Sequence, residues 1–355
     1  MDFSVMFFAS LATGSPRSHY RLLLDAARLA DGEGFTGIWT PERHFDEFGG
    51  IFPNPALSSA ALAVATERIQ LRAGSVISPL HDALLLAEDW AVVDNLSGGR
   101  VAVSFGSGWN PDDFVLNAAA YVPRREIMWE QIALIRHLWS GGTIQRPNGV
   151  GDVVEVGLVP RPVQAELPLW ITTGGTSETF IRAGAVGAHL LTHIITQDLD
   201  ALAERIELYR SARANAGHEP DAGCVTLMLH TFVGKDHEEV RALAAPPLRS
   251  YLRSGLQLDM KAARARDKGA GQSDADVLEE LLSVRLERYF DGLALLGDID
   301  ACVRLVSDLE AIGVDEAACL IDFGIDADSV LRSLIRLCEV KRRCTARASE
   351  TTRST

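Results

Sequence analysis

Three residues able to do chemistry stand side by side at Glu42-Arg43-His44, just past a short apolar segment, Phe35–Trp39, that is closed by Thr40-Pro41. They offer a carboxylate, a permanently charged guanidinium and the one side chain that ordinarily titrates near neutral pH. Such a set can hold a substrate's charge with Arg43 while His44 donates, accepts or orients a proton. The chain continues through Phe45-Asp46-Glu47-Phe48 to Gly49-Gly50. Ionisable groups beyond the C-terminal end of a buried strand are where α/β barrels carry their active sites. The competing account is a plain rim ion pair between Glu42 and Arg43 with a structural His44. The position after a strand favours catalysis.

Other segments offer binding. Gly106-Ser107-Gly108-Trp109-Asn110-Pro111 follows a strand-like Val101–Phe105, and its glycines let a flat ligand or a phosphate approach the backbone. It is not a dinucleotide fingerprint, because Pro111 stands where the third glycine belongs, nor a nucleophile elbow, because Phe105 replaces that motif's first glycine. A simple turn is the alternative. Thr173-Gly174-Gly175-Thr176-Ser177 leads from a strand into a helix that Thr176 or Ser177 can cap. The free N–H groups of its first turn suit a phosphate, and an ordinary capped loop is the alternative. His189 and His193 are four apart, but on a strand rising roughly 3.3 Å per residue they lie about 13 Å apart, too far to share one metal. No metal site is expected. His193, at the strand end, can line a pocket, whereas His189 is structural. Gly74-Ser75 also closes a strand, and its small residues suit either a planar ring or a turn.

The elements that must position these residues alternate from end to end. Strand-like segments are Phe3–Phe8, Gly37–Thr40, Ile69–Gly74, Val101–Phe105, Leu169–Thr172, His189–Thr192, Val225–Val233 and Ala317–Ile321. Between them lie helical patterns at Tyr20–Ala30, Ala83–Leu96, Arg124–Trp139, Thr179–Val186, Ala201–Ala214 and Ala301–Ile312. Such alternation predicts an α/β fold, a (β/α)8 TIM barrel spanning 1–340 as a single domain. Two insertions interrupt it: a hairpin within 141–168, after the fourth helix, and a longer one at 235–297, after the seventh strand. The polar middle of the second, Lys261–Asp276, reads as a loop between helices, and 255–278 as a cover over the pocket. Residues 341–355 read as a polar, disordered tail.

Composition excludes several classes. A net charge of −14, pI near 5.1 and the absence of a Lys/Arg-rich block exclude nucleic acid and anionic membranes as partners. Cysteines 224, 302, 319, 338 and 344 are odd in number and lack C-x-x-C spacing, as in a reduced cytoplasmic protein with structural thiols. Residues 1–9 carry Asp2 and no basic region, and read as a first strand, not a leader.

In order along the chain, several segments resemble the luciferase-like, flavin-dependent monooxygenases, most of all the branch found in natural-product biosynthesis. They are Phe7-Phe8-Ala9-Ser10, Trp39-Thr40-Pro41-Glu42-Arg43-His44-Phe45, Arg72-Ala73-Gly74-Ser75 and Val93-Asp94-Asn95-Leu96-Ser97-Gly98-Gly99-Arg100. Further on come Ser107-Gly108-Trp109, Pro160-Arg161-Pro162-Val163-Gln164, Leu227-Met228-Leu229-His230-Thr231-Phe232 and Cys319-Leu320-Ile321-Asp322-Phe323-Gly324. The resemblance implies reduced FMN delivered by a separate flavin reductase, and oxygen transfer through a flavin C4a-(hydro)peroxide. It places the isoalloxazine near Ala9, Ser10, Gly74 and Ser75, with a cis bond at Gly74–Ser75, and the phosphate against Ser107-Gly108 and Thr173–Ser177. It implies a small-molecule or carrier-protein-tethered substrate and a homodimer. Luciferases proper carry a His-His pair after the glutamate, whereas the first member here is Arg43. Arginine stays protonated, so it stabilises an anion and leaves His44 as the titratable partner. A deazaflavin-dependent oxidoreductase on the same barrel and a non-catalytic flavin-binding protein are the alternatives.

Overall fold

The computed structural model describes residues 1–8, 14–195, 197–266 and 275–354. Its strands are β1 (Asp2–Met6), β2 (Gly37–Thr40), β3 (Gln70–Ile77), β4 (Val101–Gly106), β5 (Ile144–Pro147), β6 (Val153–Val156), β7 (Leu169–Thr173), β8 (His189–His193), β9 (Val225–Val233), β10 (Leu295–Gly297) and β11 (Glu316–Leu320). The helices are α1 (Pro16–Gly32), α2 (Pro55–Ala65), α3 (Ala83–Ser97), α4 (Arg124–Trp139), α5 (Ser177–Ala185), α6 (Leu199–Asn215), α7 (His237–Arg266), α8 (Ala275–Arg288), α9 (Ile299–Ala311) and α10 (Ala327–Ser354).

Eight parallel strands close into a ring in the order β1-β2-β3-β4-β7-β8-β9-β11. The ring shuts where β11 meets β1, in register from Glu316 opposite Asp2 to Leu320 opposite Met6. The fold is the (β/α)8 barrel that the alternating pattern predicts. Strands β5 and β6 form the expected antiparallel hairpin. Strand β10 pairs with the end of β9, from Thr231 to Val233, past the stretch that β9 shares with β11.

Strand alternation sorts the core into two parts. Outward-facing Val5, Leu71, Val103 and Ile171 pack against Leu23, Trp90 and Ile132 of the surrounding helices. Met6, Trp39, Trp170, Leu191 and Phe232 form a second cluster that continues into Leu248 and Leu252 of α7 and Leu282 of α8. The insertion after β9 is thus anchored on this second cluster.

That cluster surrounds a buried ion pair. The Arg72 guanidinium lies 4.8 Å from the Trp39 ring and 4.9 Å from that of Trp170, and donates to both Glu316 oxygens at 2.6 and 2.8 Å. Glu316 also accepts from Ser4 Oγ at 2.6 Å and Thr36 Oγ1 at 3.1 Å. Position 37 must be glycine, since a Cβ there would stand 2.5 Å from Arg72 Nε.

The Val93–Arg100 motif proves to be a clamp. Asp94 accepts from the Val163 and Gln164 backbone N–H groups and from Gln164 Nε2, at 2.7, 2.9 and 2.7 Å. Arg100 donates to the carbonyls of Ala63, Thr66 and Ile69. Gly98 ends α3 at φ 70°, a left-handed cap that favours glycine.

Three expectations need correction. Helices α2 and α10 both fall outside the predicted set, α2 because Pro55–Ala65 is apolar on most sides and so lacks a clear helical periodicity. Residues 341–354, expected to be a polar disordered tail, continue α10. Cys344 is buried in the outer core, and Arg343 meets Glu339 and Asp300 at 3.0 and 2.8 Å. Of the expected loop 261–276, residues 261–266 belong to α7 and 275–276 to α8, while 267–274 lie outside the described residues. All five thiols are free. Burial pushes those of Cys224, Cys302 and Cys319 up to about 12, which keeps them unreactive.

Candidate active site

The ends of β2, β3 and β4 bring the first group of candidates together. The Glu42 N–H donates to the Ser75 carbonyl at 3.0 Å, joining the loop after β2 to β3. The peptide Gly74–Ser75 is cis. A Cβ on Gly74 would stand 2.9 Å from Trp39 Cε3 and 3.2 Å from Met6 Cε, so packing alone demands glycine there.

Glu42 is buried, and one of its oxygens serves two histidines. Oε1 is 2.9 Å from His44 Nε2 and 2.6 Å from His81 Nε2, while Oε2 accepts the Ile77 N–H at 2.6 Å. Burial raises the carboxyl's pKa, but the bonds from His44, His81 and Ile77 outweigh it and hold the group below the usual carboxylate range. Burial lowers the His81 pKa; the bond and charge of Glu42 and the charge of Asp89 reverse this, so His81 sits above an ordinary histidine. With Nε2 committed to Glu42, His44 turns Nδ1 to accept or release a proton.

Arg43 does not pair with Glu42. Its Nη1 binds the buried Asp113 carboxylate, and its guanidinium lies 5.2 Å from the Trp109 ring. Burial pulls the Arg43 pKa down and pushes Asp113 up, and the two charges hold each other ionised. The arginine expected to stabilise an anion, or else to pair with Glu42, is thus half of an ion pair with Asp113. Its Nε and Nη2 are buried with no partner, two donors left for an acceptor in the pocket.

A second group lies one strand further along, over β7 and β8. Thr176 is the N-cap of α5 but makes no capping bond, because its hydroxyl pairs with that of Thr179 at 2.7 Å. The first turn of α5 therefore has no side-chain cap on its amides, the arrangement that suits an anion. Thr173 Oγ1 accepts the Gly175 N–H at 3.3 Å. Ser177 is the exposed first residue of α5. A Cβ built on Gly174 would be 3.6 Å from His193 Nε2, and one on Gly175 3.6 Å from Arg205 Nη1. On the other flank Arg124 Nε donates to the Gly108 carbonyl at 3.2 Å, beside Ser107. Each loop read as a phosphate site thus has an arginine beside it. Both come from other elements, so no local motif pointed to them. Ala9 and Ser10 lie outside the described residues.

His193 Nδ1 accepts the Ile195 N–H at 3.3 Å, and burial lowers its pKa to about 4. His230 is enclosed by Tyr251, Tyr289 and Phe323, and burial lowers its pKa to about 3. His189 donates nothing to the site; its Nδ1 accepts the Cys224 N–H at 2.8 Å, and burial lowers it to about 4. A base with a depressed folded pKa leaves the unfolded chain binding more protons. Stability is therefore complete above the unfolded histidine value and falls as pH drops from about 6.5 toward 4, by about 1.4 kcal/mol per pH unit for each group. Urea denaturation across that window should show this slope, and His230→Gln should flatten it. A variant with an unchanged slope would contradict the assignment.

Among the described residues, no group of three or more His, Cys, Asp or Glu can hold a metal, and no helix is long and apolar enough to cross a membrane. The donors present are those of an organic site: backbone amides, hydroxyls, arginines and a histidine–carboxylate pair. A closed parallel barrel with these groups at the C-terminal ends of its strands defines a (β/α)8-barrel enzyme.

The family model "Luciferase-like monooxygenase" matches residues 1–316, and the chain belongs to that family. It is an oxidoreductase of that family. Among its relatives, the oxygenase component of a flavin-dependent trigonelline monooxygenase from Acinetobacter baylyi is 23% identical over 326 residues, covering 90% of this chain and 88% of the relative. Monooxygenase RslO1 from Streptomyces bottropensis shares the fold with a TM-score of 0.77 at 24% identity, over 96% of this chain and 98% of its own. The oxygenating constituent of 3,6-diketocamphane monooxygenase from Pseudomonas putida, in complex with FMN, has a TM-score of 0.73 at 20% identity, over 94% and 96%. An F420-dependent secondary alcohol dehydrogenase has a TM-score of 0.70 at 18% identity, over 96% and 98%.

Proposed function

We propose that the chain is the oxygenase component of a two-component monooxygenase that uses reduced FMN and O2 on an intermediate of natural-product biosynthesis, small or carrier-tethered. The observation that carries the reading is the joining, on one rim, of the Glu42-His44 proton pair with an uncapped helix N-terminus beside Arg205. The likeness to an oxygenase component and to an FMN-bound barrel supports it. The residues fit FMN: the first turn of α5, with Thr173–Ser177 and Arg205, matches a phosphate, and the small Gly74-Ser75 stretch matches a flat ring. When bound, reduced FMN supplies the electrons and the oxygen activation.

The protein's own residues do the rest. Glu42 fixes the Nε2–H tautomer of His44, so that Nδ1 moves the proton. Arg43, with its charge offset by Asp113, offers Nε and Nη2 to an acceptor oxygen, and His193 lines the far side. Tyr251 of α7 packs on Phe48 at 4.7 Å between ring centroids and shields that side of the loop after β2 from water.

The decisive experiment is mass spectrometry of products formed under 18O2 with reduced FMN. Oxygenation predicts one labelled atom in the product, and an unlabelled product refutes it. Titration with reduced FMN against reduced deazaflavin separates this reading from a deazaflavin oxidoreductase, to which the F420-dependent neighbour lends support. If Arg205 faces the phosphate, Arg205→Ala should weaken FMN about tenfold to a hundredfold while leaving riboflavin unchanged. Calorimetry with both flavins reads the difference, and equal losses would remove the phosphate role. Exposed Leu57 and Val64 of α2 and Leu85, Val92 and Leu96 of α3 support a homodimer, which light scattering on Val64→Glu would test by its dissociation. The free thiols support a cytoplasmic setting.

A further inference from the structure

Glu42 has a second partner that the reading above leaves without a task. His81, two residues before α3 and only partly exposed, shares the same Oε1 as His44, at 2.6 Å against 2.9 Å. Beside it is a cavity of about 10 Å³ whose lining includes Glu42, His81, Asp89, Asn54 and Trp90. That is room for one water molecule, and Trp90 brings to the cavity a buried Nε1–H with no partner. Asp89 is exposed, so the cavity lies between His81 and a solvent-facing carboxylate.

We propose that His81 is a positioning residue for His44, acting through Glu42: by sharing Oε1 it pins the carboxylate, takes up part of its charge, and so sets how readily His44 Nδ1 accepts a proton. The cavity water is its contact with solvent. The groups facing His81 are Glu42 from the loop after β2 and Asp89 from α3, with Gln131 of α4 donating to its carbonyl at 2.9 Å. Those facing His44 are Glu42 and Asp113, and Asp113 is itself paired with Arg43. When His81 carries a proton, the Glu42 charge is shared between the two imidazoles. When His81 loses it to the water, the full carboxylate charge falls on the His44 Nε2–H and strengthens Nδ1 as a base. The two rings and the carboxylate between them therefore act as one hydrogen-bonded unit. Burial of the carboxylate makes the coupling large, because little water screens it.

The role rests on the proposed oxygenase for its kinetic consequence only, so the test begins without flavin or substrate. Protein labelled with 15N-histidine is titrated through the neutral range as wild type, H81Q and H81F. In the wild type the His44 resonances should move in step with the His81 titration. In H81Q that movement should vanish while the Nε2–H tautomer survives, since the glutamine amide still donates to Glu42. In H81F the tautomer preference should weaken as well. His44 resonances that run the same course in wild type and H81Q overturn the proposal, whatever reaction the protein performs. In turnover, H81Q should move the acid limb of the pH–rate profile about one unit higher with the plateau rate kept. An unmoved limb also overturns it.

Discussion

Replacing Glu316 by alanine is expected to destabilise the protein by about 3–5 kcal/mol, the cost of leaving Arg72 buried and charged without its partner. The guanidinium sits between Trp39 and Trp170 and has no route to solvent. Its remaining acceptor is Gln70 Oε1 at 3.0 Å, on Nε. Ser4 Oγ would lose its acceptor at the same time, while Thr36 Oγ1 keeps the Phe3 carbonyl at 3.0 Å. Urea denaturation followed by circular dichroism measures the loss, and a variant within about 1 kcal/mol of wild type would refute the ledger. Glu316→Gln keeps an acceptor and should fall between the two. Replacing both partners with apolar residues should recover much of the loss.

The pH dependence has a definite sign. Burial raises the Glu316 carboxyl, but the charge and hydrogen bonds of Arg72, with Ser4 and Thr36, prevail and lower it. A carboxylate lowered on folding contributes stability above its unfolded value, and that stability is lost as pH falls through the folded value. Acid unfolding should therefore begin with the buried histidines near pH 6 and finish with this carboxylate, below the usual carboxylate range.

His44→Ala should lower kcat by about 10²–10⁴ while leaving the melting temperature and FMN affinity close to wild type. His44 makes one side-chain hydrogen bond, to Glu42, which keeps His81 and the Ile77 amide as donors. The fold therefore loses little. Arg43→Ala should differ in kind: it strips the buried Asp113 of its cation, so activity and stability fall together. Steady-state turnover beside thermal denaturation separates the two patterns. A His44→Ala enzyme with undiminished kcat would remove His44 from the chemistry and favour a flavin-binding protein without catalysis.

Much of this was legible in the chain. Short apolar runs bounded by turn residues located all eight barrel strands, because a parallel barrel buries both faces of every strand. Placement of Glu42, Arg43 and His44 past β2 followed from the same local pattern. Helix α2 escaped because it is apolar on most sides; α10 was missed whole, although Val330, Leu334, Leu337 and Cys338 bury one face at helical spacing, and its polar end obscures the buried Cys344.

By itself, the sequence determined the barrel, the strand-end loops that hold the candidate residues, and the family that the family model then matched. Only the tertiary structure decided the partners. It paired Arg43 with Asp113 across 70 residues, gave Glu42 a second histidine 39 residues away, and set Arg205 and Arg124 beside the two glycine-containing loops after β7 and β4. Periodicity is written by near neighbours along the chain. An ion pair or a shared carboxylate oxygen forms between residues that only closure of the ring makes adjacent.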